Sequence, residues 1–320
     1  MDGTKSTWRD VLSGIPQGSV IGPVLFVIFI NDMPSHVIHN FCKLFADDCK
    51  LFGNVKVDEE NTVQHDLTNL VDWSKRWQQP FNAKKCKVMH LGRNNPNHAY
   101  QMNGHTLENI SSEKDLGVLI DDALKFHLQT AAATKKANQV LGVIKRTYQT
   151  RDTFTMSTLY KSMVRPHLEY GNLIWGPFYE GDKKLVESVQ RRATKLIPEL
   201  REKTYEERLQ ALDLPSLEYR RNRGDMIQCY KIFNGIVRVK AEDIFTLIPP
   251  ATTRSTTFGH HQRILQQKAT NRTRINAFSQ RVIKDWNDLS KEVVEATSVN
   301  SFKNKLDEYW RHRRFTTSAA

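Results

Sequence analysis

The stretch Phe41-Cys42-Lys43-Leu44-Phe45-Ala46-Asp47-Asp48-Cys49-Lys50-Leu51-Phe52 carries two short apolar segments on either side of an acidic pair. Segments of this length, rich in aromatic and aliphatic residues and interrupted by polar ones, read as the strands of a β-hairpin with Asp47-Asp48 at its tip. A sharp turn would expose both carboxylates and paired strands would fix them, which is one way to hold a divalent cation. Mg²⁺ takes one or two carboxylates and completes its shell with substrate phosphates, so such a pair suits phosphoryl transfer. On residue type alone a solvated acidic turn is the commoner explanation, and the neighbouring sequence has to decide.

Upstream, Gly14, Pro16 and Gly18 form a tight loop, and Val20, Ile21, Val24, Leu25, Ile28 and Phe29 follow at helical spacing. Pro23 falls in the first turns of that helix, where a missing N–H costs least. Downstream, a helix is expected over 60–78, with Leu67, Leu70, Val71 and Trp77 on its apolar side. Strands are expected at Lys87–Leu91 and Leu116–Ile120. Beyond residue 128 the texture turns helical: Ala137, Val140, Leu141 and Ile144 recur at i, i+3, i+4 and i+7. A helix over 154–170 contains Pro166, which should kink it or end it near Arg165. Over 182–197, Leu185, Val189, Ala193 and Leu196 make an apolar side, and Lys183, Lys184, Arg191, Arg192 and Lys195 a basic remainder. Helices follow at 204–212 and 216–234, with a second basic face at 219–223. After Pro249-Pro250 the aperiodic stretch 251–274 reads as a linker or extended arm, and helices close the chain near 276–288 and 299–313. The fold class is α+β.

The chain has 320 residues and a net charge of +12, unevenly spread. Residues 1–122 hold 12 Lys+Arg against 15 Asp+Glu, and the remainder 35 against 20. Such a basic second part fits a polyanion partner or, equally, a solvated basic surface. The longest apolar run, Val24–Ile30, is too short to span a bilayer, so no membrane partner is expected. With no secretory signal, an intracellular location in nucleus or cytoplasm is expected, with Asn109 and Asn271 unglycosylated. Cys42, Cys49, Cys86 and Cys229 contain no pair at structural-zinc spacing, and a reducing compartment argues against disulfides. His36 with His39, and His260 with His261, lack a Cys or carboxylate at diagnostic spacing.

Read in order, the motifs resemble those of LINE-type (non-LTR) retrotransposon reverse transcriptases. Ser13-Gly14-Ile15-Pro16-Gln17-Gly18-Ser19, Gly22-Pro23-Val24-Leu25-Phe26 and Ile30-Asn31-Asp32 resemble the second palm motif, and Phe45-Ala46-Asp47-Asp48 the polymerase metal motif. Trp73-Ser74, Trp77 and Phe81-Asn82-Ala83-Lys84-Lys85-Cys86-Lys87-Val88-Met89-His90-Leu91-Gly92 resemble the motif that follows. Glu113-Lys114-Asp115-Leu116-Gly117-Val118 resembles the primer grip. The similarity runs on through Val164-Arg165-Pro166-His167-Leu168-Glu169-Tyr170, Val189-Gln190-Arg191-Arg192-Ala193-Thr194-Lys195, Trp286-Asn287-Asp288-Leu289 and Ser301-Phe302-Lys303, nearest to the jockey-like branch.

The resemblance implies roles position by position. Asp47 would be a direct ligand of Mg²⁺ (or Mn²⁺) and Asp48 a second or supporting one. Gly14, Pro16, Gln17 and Gly18 would lie against the nascent base pair. Lys85 would protonate the leaving pyrophosphate, with Lys84 and Lys87 as rivals. Leu116, Gly117 and Val118 would support the primer, and the basic side chains of 182–197 would follow an RNA template and DNA primer. The implied layout is a partial palm over 1–122, a helical thumb over 123–200, a helical region over 201–250, the 251–274 arm, and C-terminal helices over 275–320. A two-metal polymerase needs a further aspartate from an earlier strand, and Asp2 and Asp10 lie too close to the 14–18 loop to supply it. Fingers to hold the deoxynucleotide have no counterpart either. The chain is therefore expected to be inactive alone and to need the upstream half of the same polymerase. The competing readings are a non-catalytic nucleic-acid-binding remnant and a helical protein-interaction module.

Overall fold

The structure, a computed structural model, describes residues 7, 18–55, 61–92, 94–248 and 260–317. The chain forms two compact units, Met1–Ser112 and Glu113–Ala320.

In the first unit, α1 (Gly22–Ile30) opens with Pro23 in its first turn. β1 (Phe41–Phe45) and β2 (Asp48–Phe52) pair antiparallel from Phe41 opposite Phe52 to Phe45 opposite Asp48. The hairpin is the expected one, but its turn is Ala46-Asp47, and Asp48 opens the second strand instead of sharing the tip. α2 (Thr62–Arg76) starts where the Asn61 side chain accepts the Gln64 N–H, and it buries Asp66, Leu67, Leu70, Val71, Trp73 and Ser74. Of the strand expected at Lys87–Leu91 only β3 (Lys87–Val88) forms, parallel to β6 (Glu108–Asn109). Gly92, at φ +91°, turns the chain away soon afterwards. β4 (Gln101–Met102) and β5 (His105–Thr106) make a small hairpin between them. One core joins Leu67 and Val71 to Ala83, Tyr100, Met102 and Leu107; a second joins Leu70 and Trp73 to Ile30 and Met33. The opposite side of α1 stays in water, with Val24, Leu25, Val27 and Ile28 each more than half exposed.

The second unit opens with the hairpin β7 (Ser112–Asp115) and β8 (Val118–Asp121). Its two-residue turn, Leu116-Gly117, has φ +43° and +87°, the left-handed pair that suits the twist of adjoining strands. Leu116 is thus a turn residue, not the start of a strand. α3 (His127–Thr147) buries Ala133, Ala137, Leu141 and Ile144, with Val140 of the expected stripe half-buried. Pro166 does not end the helical run near Arg165. α4 (Thr153–Leu159) passes through a π-helical turn at Tyr160–Val164 into α5 (Arg165–Glu169), with Pro166 in the first turn of the last segment. The wider turn lets the chain restart its hydrogen bonding where the proline lacks an N–H. α6 (Asn172–Trp175) leads to α7 (Glu180–Lys195), whose buried side is Val186, Glu187, Val189, Gln190, Ala193 and Thr194. That face is rotated from expectation: Leu185 is exposed and Leu196 only half-buried. Gln190 explains the rotation, since the Tyr160 hydroxyl donates to it and it donates to the Pro215 carbonyl, drawing a polar residue inward.

α8 (Tyr205–Ala211) begins with a reciprocal Thr204–Glu207 cap, and α9 (Leu217–Phe233) with a Ser216 cap. α9 separates two cores. On one side Leu217 joins the α3–α8 cluster; on the other Met226, Cys229 and Tyr230 meet Trp286, Phe302 and Leu306. α10 (Ala241–Ile244) is short. The helix expected at 276–288 is broken into α11 (Arg272–Asn276), α12 (Phe278–Arg281) and α13 (Ile283–Asn287), and α14 (Lys291–Val294) and α15 (Val299–Tyr309) follow. The described part of the expected arm is extended yet anchored. Ile264 is buried and bridges to Leu247, its N–H donates to Asn287 Oδ1, and His260 lies buried against Trp286.

Candidate functional site

The acidic hairpin is held from beneath by an aspartate on α2. Asp66 is fully buried, and its carboxylate accepts the N–H groups of Ile38 (2.8 Å), His39 (3.1 Å) and Asn40 (2.9 Å) and the Asn40 side-chain amide (2.8 Å). Burial by itself would raise this carboxyl's pKa, but the four donors outweigh burial and hold it below the usual range. Three consecutive backbone donors are thereby fixed immediately before β1. At the same end of the hairpin, just after β2, Gly53 leaves room for the Asn40 side chain, whose Oδ1 would lie 1.7 Å from an added Cβ. Asp66 thus sets where the hairpin leaves the body of the unit. It escaped the sequence reading although its spacing to Leu70 and Trp73, at i+4 and i+7, puts a charge on the buried stripe.

Beyond this anchor the hairpin carries Asp47 and Asp48 into solvent, both exposed, with Ala46 left-handed at φ +50°. Two adjacent exposed carboxylates, with no ion pair to either among the described residues, make a donor set that suits Mg²⁺. Among the described residues no third His, Cys, Asp or Glu lies within ligand distance of them; the one such triplet is His39, His65 and Asp66. Its Asp66 oxygens are already occupied by the donors above, so that triplet is structural. Cys42 and Cys49, unpaired on sequence spacing, come within 3.6 Å across the hairpin as free thiols.

The other expected residues fall as follows. Gly14, Pro16 and Gln17 lie outside the described residues, and Gly18 is an exposed turn residue at φ +84°. Lys84 and Lys85 are exposed in a turn pinned by buried Ala83, and no hydrogen bond or ion pair joins Lys85 to Asp47 or Asp48. Lys87 lies in β3. In the 116–118 turn, Leu116 is exposed, whereas Val118 is in the core. The Tyr170 hydroxyl donates to the Leu116 carbonyl at 2.8 Å and its ring would touch a Cβ on Gly117, so the turn is latched to the helices.

On α7 the basic residues divide. Lys184, Arg192 and Lys195 are exposed along one side, Arg192 bonded back to Ser188. Lys183 pairs with Glu180 (2.9 Å) and Glu218 (3.7 Å), and Arg191 stacks on the Tyr205 ring at 4.7 Å. The expected basic face at 219–223 is not a free surface. Arg221 is buried, Arg220 pairs with Glu169, and Arg223 pairs with Asp307, because helices on either side supply carboxylates. His260 Nε2 donates to the Trp286 carbonyl at 2.9 Å, its ring packs edge-on against the Trp286 indole, and burial pulls its pKa down. Among the described residues no helix is long and apolar enough to cross a membrane.

Residues 1–144 match the family described as reverse transcriptase (RNA-dependent DNA polymerase). The chain is 27% identical over 203 residues to a probable RNA-directed DNA polymerase from transposon X-element of Drosophila melanogaster, covering 60% of this chain and 22% of that protein. It is 28% identical over 191 residues to the RNA-directed DNA polymerase from mobile element jockey of the same species, covering 55% and 21%. It is also 26% identical over 180 residues to a Pol polyprotein from the type-1 element R1 of Bradysia coprophila, covering 52% and 18%. The chain thus spans about a fifth of the length of these relatives. No solved structure gives a match. Residues 1–144 thus match the reverse transcriptase family, and the chain is similar, at 26–28% identity, to polymerases of non-LTR retrotransposons that include the X-element, jockey and R1.

Proposed function

We propose that this chain is the C-terminal part of the palm, with the thumb and basic tail, of an RNA-directed DNA polymerase that extends a primer 3′-hydroxyl with deoxynucleotides on an RNA template. The observation that carries the reading is the hairpin with Asp47 and Asp48 at its solvent end, fixed at its base by the buried Asp66. Asp47 and Asp48 would hold the Mg²⁺ that such polymerases use, and a bound ion would supply charge stabilisation at the transferred phosphate. The chain's own contribution is positional. Asp66 and Asn40 keep the two carboxylates at a fixed place on the hairpin, and correct placement supplies much of the rate in such reactions. Lys85, exposed in its turn, is the proposed proton donor to the leaving pyrophosphate, and Leu116-Gly117 the support for the primer. Lys184, Arg192 and Lys195 would lie along template–primer phosphates, giving affinity without sequence specificity.

Two carboxylates are too few for two cations about 4 Å apart. Among the described residues no third donor is in reach, so a further carboxylate has to come from elsewhere. The test is primer extension on a homopolymer RNA template with Mg²⁺, using the chain alone, the chain with a supplied upstream half of a jockey-like polymerase, and that pair carrying Asp47→Ala. Extension by the supplemented chain and none by the other two is expected. Full activity of the Asp47→Ala pair would remove Asp47 from the metal site. A second reading, a non-catalytic nucleic-acid-binding remnant, draws on the charge of the second unit, where residues 113–320 hold 36 Lys+Arg against 24 Asp+Glu. Salt-sensitive binding with no extension under any supplement would favour it.

A further inference from the structure

One cavity in the second unit, of about 360 Å³, is walled by Lys161, Arg165, Arg220, Arg223 and Arg314, and Asp213 and Asp307 line it too. The cations come from the π-helical turn, α5, α9 and the segment after α15, so tertiary packing gathers them, not one helix face. Their partners are too few. Arg223 makes a two-pronged pair with Asp307 (2.5 and 2.7 Å), and Arg314 Nη2 reaches Asp213 at 2.7 Å. Arg220 makes a two-pronged pair with Glu169, which Arg165 approaches only to 3.6 Å. Among the described residues three carboxylates therefore answer five cations.

The surplus is visible in individual groups. Lys161 is exposed and has no ion pair among the described residues, and Arg314 Nε is buried without an acceptor. Burial, and then the neighbouring charge of Arg220, pull the Arg165 guanidinium below its usual pKa, so two like charges are held side by side. Packing cations together without enough carboxylates costs stability unless an anion completes the set. Guanidinium forks converging from several directions suit the oxygens of a phosphate.

We propose that this cavity binds a phosphate monoester, carried on the end of a nucleic-acid strand or on a free nucleotide. Near neutral pH a monoester bears about −1.5 to −2 charges, which matches the two unanswered cations; an internal phosphodiester bears only one. The volume lies within the ~300–1,000 Å³ range of small-molecule sites, leaving room for the attached sugar. The site belongs wholly to the second unit and stands apart from the polymerase reading.

The test uses the full chain and compares a 5′-phosphorylated oligothymidylate with its 5′-hydroxyl counterpart, and adenosine 5′-monophosphate with adenosine, by calorimetry at one salt concentration. The phosphorylated member of at least one pair should bind about tenfold more tightly, the scale of lost charge-assisted hydrogen bonds. A preference confined to the oligonucleotide identifies a strand end, and one shared by the mononucleotide identifies a free nucleotide. Lys161→Glu, at an exposed position, should abolish the preference with the thermal melt unchanged, and Arg314→Gln should weaken it. Replacing Lys184, Arg192 and Lys195 by Ala should lower both oligonucleotide affinities and leave their ratio. Equal affinity within both pairs, or a preference that survives Lys161→Glu, would overturn the proposal.

Discussion

At the scale of single residues, Asp66 and Gly117 show how little of the site's support is chemistry-bearing. Asp66 satisfies four donors from one buried carboxylate, so Asp66→Asn, which keeps the shape but sets an amide N–H₂ against backbone N–H groups, should lower stability by about 2–3 kcal/mol. The pH dependence has a definite sign. A carboxyl held below its ordinary 3.8 contributes stability that is complete above that value and is lost as pH falls through the lower folded value. The wild-type chain should therefore lose this part of its stability only below about pH 4, and Asp66→Asn should show a flatter melt over the same interval. Gly117→Ala meets two obstacles, a left-handed φ of +87° and the Tyr170 ring 3.1 Å from the new Cβ. A loss of about 1–2 kcal/mol in chemical denaturation is expected. A glycine in a turn is easy to suspect from sequence. A buried aspartate is not, because the pattern shows that position 66 faces inward but not which backbone donors wait there.

At the scale of elements, the hairpin and the long helices follow from local pattern, and the exceptions have local causes. The β1–β2 strands were legible because aromatic and aliphatic residues sit either side of one polar break; the turn's position by one residue was not, since it depends on which cross-strand pair closes the ladder. α7 kept its range but not its face, because Gln190 is drawn inward by Tyr160 and Pro215, contacts made by distant residues. That rotation changes which cations matter. Binding of the full chain to a hybrid duplex should weaken with salt, log K falling by about 0.7–0.9 per phosphate contact for each tenfold rise. The triple change of Lys184, Arg192 and Lys195 to Ala should flatten the slope, whereas Lys183→Ala, which mainly frees Glu180 and Glu218, should alter it little. A slope untouched by the triple change would remove α7 from the interface. Pro166 is the other case: sequence rules allow it to bend or stop a helix, and the chain accommodates it with a π-helical turn just before the proline, which local pattern does not show.

At the scale of the molecule, the division into two units accounts for the charge pattern better than any single stretch does. Residues 1–112 hold 11 Lys+Arg against 11 Asp+Glu, so the whole +12 resides on the second unit. Its two cores lie entirely within Glu113–Ala320, and that segment produced alone should melt cooperatively and keep salt-sensitive binding. The α+β class and the order of helices were readable from periodicity. The cavity over α9 was not, since its five cations span residues 161–314 and meet only after the chain has folded back on itself. The uncovered side of α1 is legible both ways, as an apolar helix in the sequence and as four half-exposed aliphatic side chains in the structure. Its consequence is felt during synthesis. Val24, Leu25, Val27 and Ile28 meet the cytosol of the producing cell as soon as they leave the ribosome, and nothing among the described residues covers them afterwards. Soluble yield should therefore respond to co-expressed chaperone, and a Val24→Ser, Ile28→Ser double change should make that dependence disappear.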